Sequence, residues 1–246
     1  MNAIRSALVF FWMVLSVIPF GLTLVALSPV LRDDKLWWWF AVPWLKGCVI
    51  AARVIGGVRY QIEGEHNLPD GSDMRRTILC SKHQSTWETF FFPSMTAHPL
   101  AYVFKKELLR IPIFGWCIGL VGMIHIDRSR RAEAWNRVAE QGLELMDRGK
   151  WIIMFPEGTR TERGSQGVYK TGAARLAITT GADLIPIALT SGRCWPRRSF
   201  SFVPGVVNVS IGEPIPSEGR KPEEMMAEVE RWIESEMRRL DPQAYS

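Results

Sequence analysis

Residues 6–31 contain no charged side chain, a run of 26 apolar and small polar positions bounded by Arg5 on one side and by Arg32, Asp33, Asp34 and Lys35 on the other. A straight helix of that length reaches about 39 Å, more than the roughly 30 Å hydrocarbon core of a bilayer requires. Pro19 and Gly21 interrupt the run. An internal proline removes a hydrogen bond and bends the chain, so one long helix and two half-helices are both compatible with it. A second apolar stretch over 36–57 is broken by Pro43, Lys46, Gly47 and Arg53, and it carries the triplet Trp37-Trp38-Trp39 beside the charged turn. That pattern predicts a helix at headgroup depth, where indole keeps its apolar body in lipid and its N–H near water. Residues 1–57 are therefore expected to form a two-helix membrane-attachment element, and residues 58–246 a body outside the bilayer. A secretory signal is disfavoured by the length of the run and by the lack of a small-x-small site before a polar start. A buried helix pair is the remaining alternative.

Beyond residue 58, short β-rich runs alternate with helix-length segments. Strands are expected at 77–80, 101–104, 123–126, 151–155, 184–189 and 206–211, and helices near 86, over 106–120 with breaks at Pro112 and Gly115, and over 130–148, 171–180 and 222–240. Strands separated by helices predict an α/β fold with a mostly parallel sheet flanked by helices. In such sheets ligands bind beyond the carboxyl ends of the strands. Four of those ends carry reactive or charged groups: the segment from Ser81 to Glu88, Lys105-Lys106-Glu107, Asp127-Arg128, and Glu157-Gly158-Thr159-Arg160.

Composition narrows the class. The chain has 246 residues, 47% hydrophobic and 22% charged, which excludes an intrinsically disordered protein. Residues 1–60 hold six basic and two acidic groups, hence +4 of the net +5; the other 186 hold 24 and 23, hence +1. Five of the eleven Trp also precede residue 60. A basic, Trp-rich apolar segment suits an anionic bilayer surface, whereas a nucleic-acid partner calls for a basic stripe on the folded body, so none is expected. Cys48, Cys80, Cys117 and Cys194 form no C-x-x-C pair, and His66, His83, His98 and His125 lack metal-ligand spacing. No metal, disulfide framework or oxidising compartment is indicated.

His83 is the one histidine followed at turn distance by a carboxylate, Glu88. An imidazole can take a proton from a hydroxyl, and an acid on its other nitrogen fixes the tautomer. On a continuous helix the two side chains would point about 140° apart, so the pair requires a non-helical turn between them. No G-x-S-x-G nucleophile elbow occurs, which favours direct attack by a substrate hydroxyl over a covalent acyl-enzyme. Pro156, Gly158 and Arg160 in Phe155-Pro156-Glu157-Gly158-Thr159-Arg160 permit a tight turn and present a planar fork suited to phosphate oxygens. Lys105, Lys106, Arg128 and Lys170 can add positive charge around the same anion. Hydrolysis of an acyl thioester by a His83-activated water, and non-enzymatic lipid binding through the basic anchor, remain alternatives.

The segments from His83 to Glu88, from Gly122 to Arg128, from Phe155 to Arg160 and from Leu184 to Ile187 resemble, in order and spacing, the four motifs of the glycerolipid acyltransferases, above all the bacterial members that acylate lysophosphatidic acid. The resemblance covers roughly residues 60–215. It implies transfer of a fatty acyl group from acyl-CoA or acyl carrier protein to the 2-hydroxyl of 1-acyl-glycerol-3-phosphate, forming phosphatidic acid, with no cofactor beyond the donor. It further implies His83 as general base with Glu88 as its charge partner. Glu157, Gly158 and Arg160 would hold the glycerol phosphate, with Lys105 a second phosphate ligand; Arg128 and Pro186 match the second and fourth motifs, and Lys170 falls where a basic residue is common. The implied setting is the cytoplasmic face of the inner membrane, attached through residues 1–57. One departure is Glu88, where the first motif usually has aspartate. Relatives that acylate lyso-ornithine lipid or other lysophospholipids share these motifs, so the acceptor stays open between them.

Overall fold

The computed structural model describes residues 2–126 and 131–245. The first apolar run forms one helix, α1 (Asn2–Leu27), which passes through Pro19 without a break. Ile4, Leu8, Phe11, Leu15, Ile18 and Leu22 recur at three- and four-residue spacing as an exposed apolar stripe, while Ser6, Val9, Met13, Gly21 and Leu24 face inward. The helix is long and apolar enough to cross a membrane by length and composition.

A second arm follows, built from α2 (Asp33–Leu36), one π-helical turn over Trp37–Ala41 and α3 (Val42–Val54). In the π turn the Val42 N–H bonds to the Trp37 carbonyl, five residues back, so one extra residue is accommodated and the faces of the arm rotate. Successive residues on the arm project in different directions, and the tryptophan triplet is split between them. Trp37 is 1% exposed and joins the core, against 38% for Trp38 and 57% for Trp39. The expectation of three indoles at headgroup depth is corrected for Trp37, whose side of the helix faces the body. The two arms approach closely because Gly47 has no side chain: a Cβ there would lie 2.6 Å from the Trp12 ring. Trp44 Nε1 donates to Ser16 Oγ across the same seam at 3.0 Å.

The body contains β1 (Val58–Glu63), β2 (Thr77–Ser81), α4 (Trp87–Met95), β3 (Leu100–Lys105), α5 (Phe114–Leu120), β4 (Ile124–Ile126), α6 (Arg131–Asp147), β5 (Trp151–Met154), α7 (Gly172–Thr180), β6 (Asp183–Leu189), α8 (Ser191–Cys194), β7 (Gly205–Ile211) and α9 (Pro222–Leu240). The strands form one sheet in the order β1-β7-β6-β2-β5-β3-β4, with every neighbouring pair parallel except β6–β7. The mostly parallel α/β reading holds. The seventh strand, β1, lies outside the expected set. Val58 is its only fully buried residue, so an edge strand paired on one side shows no apolar run. The helix expected over 106–120 divides at Pro112 into a 3₁₀ turn over Lys106–Arg110 and α5.

Alternation along the central strands sends residues to two cores. Leu79, Ile153, Ile185 and Ile187 pack with Trp87 and Phe91 of α4 and with Val9, Leu24, Trp37 and Val49 of the N-terminal arms. Ile78, Cys80, Ile152 and Leu184 pack with Val138 of α6, Ala174 of α7 and Val229 and Ile233 of α9. The arms thus form a layer over one face of the sheet and share its core.

Candidate active site

Register places Cys80 of β2 beside Met154 of β5 and Pro186 of β6, so these strands end together and their following loops meet. His83 leaves β2 in the first of these loops. Its ring lies flat on Phe155, centroids 3.8 Å apart at 17°, and its side chain is 16% exposed. Because α4 begins only at Trp87, residues 83–86 are free to turn back on the helix. His83 Nδ1 then comes within 2.5 Å of Glu88 Oε2. The other carboxylate oxygen accepts the N–H groups of Gln84 (2.9 Å) and Ser85 (2.8 Å) and the hydroxyl of Ser191. Four donors compensate the desolvation of a wholly buried carboxylate. An ionised carboxylate only accepts, so the imidazole proton sits on Nδ1 and Nε2 keeps its lone pair.

Ser191 lies outside the expected set of site residues. It follows β6 directly, at a fifth strand end on the same sheet edge, and its position beyond residues 184–189 is the signal that could have found it.

The loop after β5 locks around His83. Thr161 donates its backbone N–H to the His83 carbonyl at 2.7 Å. Glu157, expected at the phosphate, has a fully buried side chain and turns inward instead. Its Oε2 accepts the His83 backbone N–H at 3.1 Å, and its Oε1 lies 2.7 Å from Lys82 Nζ. Lys82 is itself fully buried, bonds Glu234 Oε1 of α9 at 2.7 Å and the Ser165 carbonyl at 3.0 Å, and shares Glu234 with the Tyr169 hydroxyl at 2.8 Å. Burial and these carboxylates push the Tyr169 phenol far up, so it stays a donor. Neither Lys82 nor Glu234 stands out in the sequence.

Two of the cations expected beside Glu157, Arg160 and Lys170, do face a cavity. Gly158 adopts φ +66°, and a Cβ there would stand 2.8 Å from Lys170 Nζ, so glycine lets the lysine cross its backbone. Arg160 Nη1 donates to Thr86 Oγ1 at 2.5 Å. Thr86, Gly158, Arg160 and Lys170, together with His83, line one end of a cavity of about 1120 Å³. The rest of its wall is mostly apolar and comes from both N-terminal arms, α4, α5 and the sheet face, through residues such as Phe20, Leu24, Phe40, Phe90 and Ile118. Lys105 ends β3 at the same sheet edge, while its side chain and the whole of Arg128 lie outside the described residues. Among the described residues no group of three His, Cys, Asp or Glu side chains is arranged to hold a metal ion.

Burial pushes the thiols of Cys80 and Cys194 up, the latter to about 11, so both stay protonated at neutral pH and neither is an activated nucleophile. The chemistry on offer is a base with a fixed tautomer, a cationic corner suited to a phosphate, and an apolar chamber between the arms and the sheet.

Known proteins resemble this chain in sequence and in fold. The Acyltransferase family profile matches residues 59–190. The chain is 34% identical over 244 residues to a 1-acyl-sn-glycerol-3-phosphate acyltransferase of Pseudomonas aeruginosa, covering 98% of this chain and 93% of that one. It is 27% identical over 188 residues to the human 1-acyl-sn-glycerol-3-phosphate acyltransferase alpha, covering 76% of this chain and 65% of that one. Its fold matches the crystal structure of the 1-acyl-sn-glycerophosphate acyltransferase from Thermotoga maritima with a TM-score of 0.80 at 24% identity, over 98% and 96% of the two chains. With the family profile spanning the loops that carry His83, Glu88 and Arg160, and a bacterial relative aligned along nearly the whole length, this chain belongs to the acyltransferase family.

Proposed function

We propose that the protein transfers a fatty acyl group from acyl-CoA or acyl carrier protein to the 2-hydroxyl of 1-acyl-glycerol-3-phosphate, forming phosphatidic acid. The observation that carries this is the place of His83, between the cations Arg160 and Lys170 and a large apolar chamber. The names of the relatives support the same activity. The acceptor phosphate rests on Arg160 and Lys170, which brings the glycerol hydroxyl to the imidazole. His83 Nε2 takes the hydroxyl proton as the oxygen attacks the thioester carbonyl. Glu88 holds the imidazolium that forms. When the tetrahedral intermediate collapses, the C–S bond breaks and the thiolate takes the proton from His83. Positioned acid–base catalysis of this kind is worth about 10²–10⁴-fold in rate. The partners are a lipid acceptor and an acyl donor, and the N-terminal arms attach the enzyme to the cytoplasmic face of the inner membrane.

The test is phosphatidic acid formation by the solubilised full chain supplied with acyl-CoA and lysophosphatidic acid. Product is expected from the native protein and not from His83→Ala. Thiol release at the same rate without acceptor would make the protein a thioesterase, and equal rates on a lysolipid without a terminal phosphate would remove the phosphate acceptor.

A further inference from the structure

Phe200 is 83% exposed, the most exposed large apolar side chain among the described residues. It does not sit on a slack loop. Trp195 and Phe202, on either side of it, are buried with centroids 4.4 Å apart. Trp195 Nε1 donates to the Ser199 carbonyl at 2.9 Å, and the Val203 N–H donates to the Cys194 carbonyl at 2.8 Å. The Phe202 N–H is tied to Ser6 Oγ of α1 at 2.8 Å. The segment 195–203 is therefore a braced loop that holds one phenyl ring outward.

Two neighbours show what the ring meets. Its centroid is 5.6 Å from that of Phe10, on the flank of the exposed stripe of α1 formed by Leu8, Phe11 and Leu15, so the loop continues that apolar face. Arg197 and Arg198 precede it, and neither forms an ion pair among the described residues. An apolar ring flanked by cations suits a lipid surface with anionic headgroups. An acidic protein would satisfy the arginines yet gain nothing from an apolar face shared with α1.

We propose that residues 195–203 form a second bilayer contact beside the N-terminal arms, with Phe200 entering the acyl region and Arg197 and Arg198 meeting anionic headgroups. The inference rests on the membrane setting given under Proposed function. The contact borders the site: Trp195 stacks on Phe90 of the cavity wall, centroids 6.2 Å apart at 5°, and Ser191 of α8, just before the segment, bonds Glu88. A loop seated on the bilayer here lies next to the chamber that lipid must enter.

The test is flotation of the full chain with phosphatidylcholine vesicles, with and without phosphatidylglycerol, for the native protein, Phe200→Ser, Arg197→Gln/Arg198→Gln and, as comparator, Phe11→Ser. Phe200→Ser is expected to weaken binding to both vesicles by about tenfold. The arginine double variant should lose mainly the preference for phosphatidylglycerol, by about fivefold for each charge, and high salt should remove that difference. Activity on a water-soluble short-chain lysophosphatidic acid should be unchanged in both. Normal flotation of Phe200→Ser beside weakened Phe11→Ser would overturn the second contact and leave the membrane reading intact. If Phe11→Ser also floats normally, the membrane reading fails with it. If the arginine variant floats normally and is slow only with acyl carrier protein as donor, the loop is a site for an acidic protein and the proposal is wrong.

Discussion

His83 Nδ1 and Glu88 Oε2 meet at 2.5 Å because the helix between them starts late. A helix covering both residues would set them about 140° apart. Instead the carboxylate folds back over the turn and takes up the backbone N–H groups of Gln84 and Ser85, which precede the helix. One side chain therefore closes the turn and orients the base. The longer glutamate reaches both tasks, with Ser191 fixing the oxygen that faces the backbone.

Glu88→Gln should lower kcat by about 10²–10⁴-fold while the fold persists. The amide has one accepting oxygen where four donors converge, so either the imidazole or the turn loses its partner. Ser191→Ala removes one of the four and should cost less, about tenfold, the scale of a single hydrogen bond to a charge. Steady-state rates with circular dichroism on both variants check this; a Glu88→Gln enzyme at native rate would remove the pair from the mechanism.

Lys82→Met should destabilise the protein by about 3–5 kcal/mol, since it strands two carboxylates, Glu157 and Glu234, in a dry site. Glu234→Gln should be nearly neutral. The Glu234 Oε2 atom is buried with no partner, and the amide still offers its oxygen to Lys82 and the Tyr169 hydroxyl. Denaturant unfolding of the two variants in the same detergent gives the comparison, and equal losses would contradict the asymmetry.

The difference between these residues and His83 also marks what the sequence reveals. The six expected strands announce themselves by apolar runs, and His83, Glu88 and Arg160 by lying just past strand ends. Lys82 and Glu157 are 75 residues apart, and Lys82 and Glu234 are 152 apart. Ion pairs at such separations leave no periodic mark, so Glu157 reads as part of an exposed anion loop when it braces the His83 backbone. Strand β1 is hidden because an edge strand with one buried residue shows no alternation. Trp37 reads like Trp38 and Trp39 because the side of the arm that packs on the body is set by distant contacts and not by the local sequence.

Arg160→Ala and Lys170→Ala should each raise the KM for lysophosphatidic acid by about tenfold or more, with a smaller change in kcat, because a charge-assisted hydrogen bond to phosphate is worth about 1.5–3 kcal/mol. Both side chains line the cationic end of the cavity, and Thr86 already holds Arg160 in place. Substrate titration separates the two constants. An unchanged KM in Arg160→Ala would move the phosphate elsewhere.

Asp33→Asn should destabilise the protein at neutral pH and do so progressively less below about pH 4. Asp33 opens the second N-terminal arm and is bound to Lys150 Nζ at 2.7 Å and to Arg148, both just before β5. Lys150 is almost fully buried, also donates to the Val121 carbonyl at 2.9 Å, and fits only because residue 122 is glycine, where a Cβ would lie 2.4 Å from the ammonium. Burial alone would raise the Asp33 carboxyl, but the Lys150 hydrogen bond and charge, aided by Arg148, outweigh it and hold the group below its usual 3.8. A depressed carboxyl contributes stability that is present above its unfolded value and lost as pH falls through the folded one. The latch thus holds the arm to the body at full strength above the ordinary carboxyl value of 3.8 and is released only as the pH falls further, through the lowered folded value. An asparagine in place of Asp33 would leave a buried ammonium short of one charged partner, a loss of about 1–3 kcal/mol at pH 7. The gap between the unfolding curves of native and variant chains should narrow as the pH is lowered from 7 past 3.8, and a gap independent of pH would mean that the arm is held by apolar contacts with Trp37 and its neighbours alone.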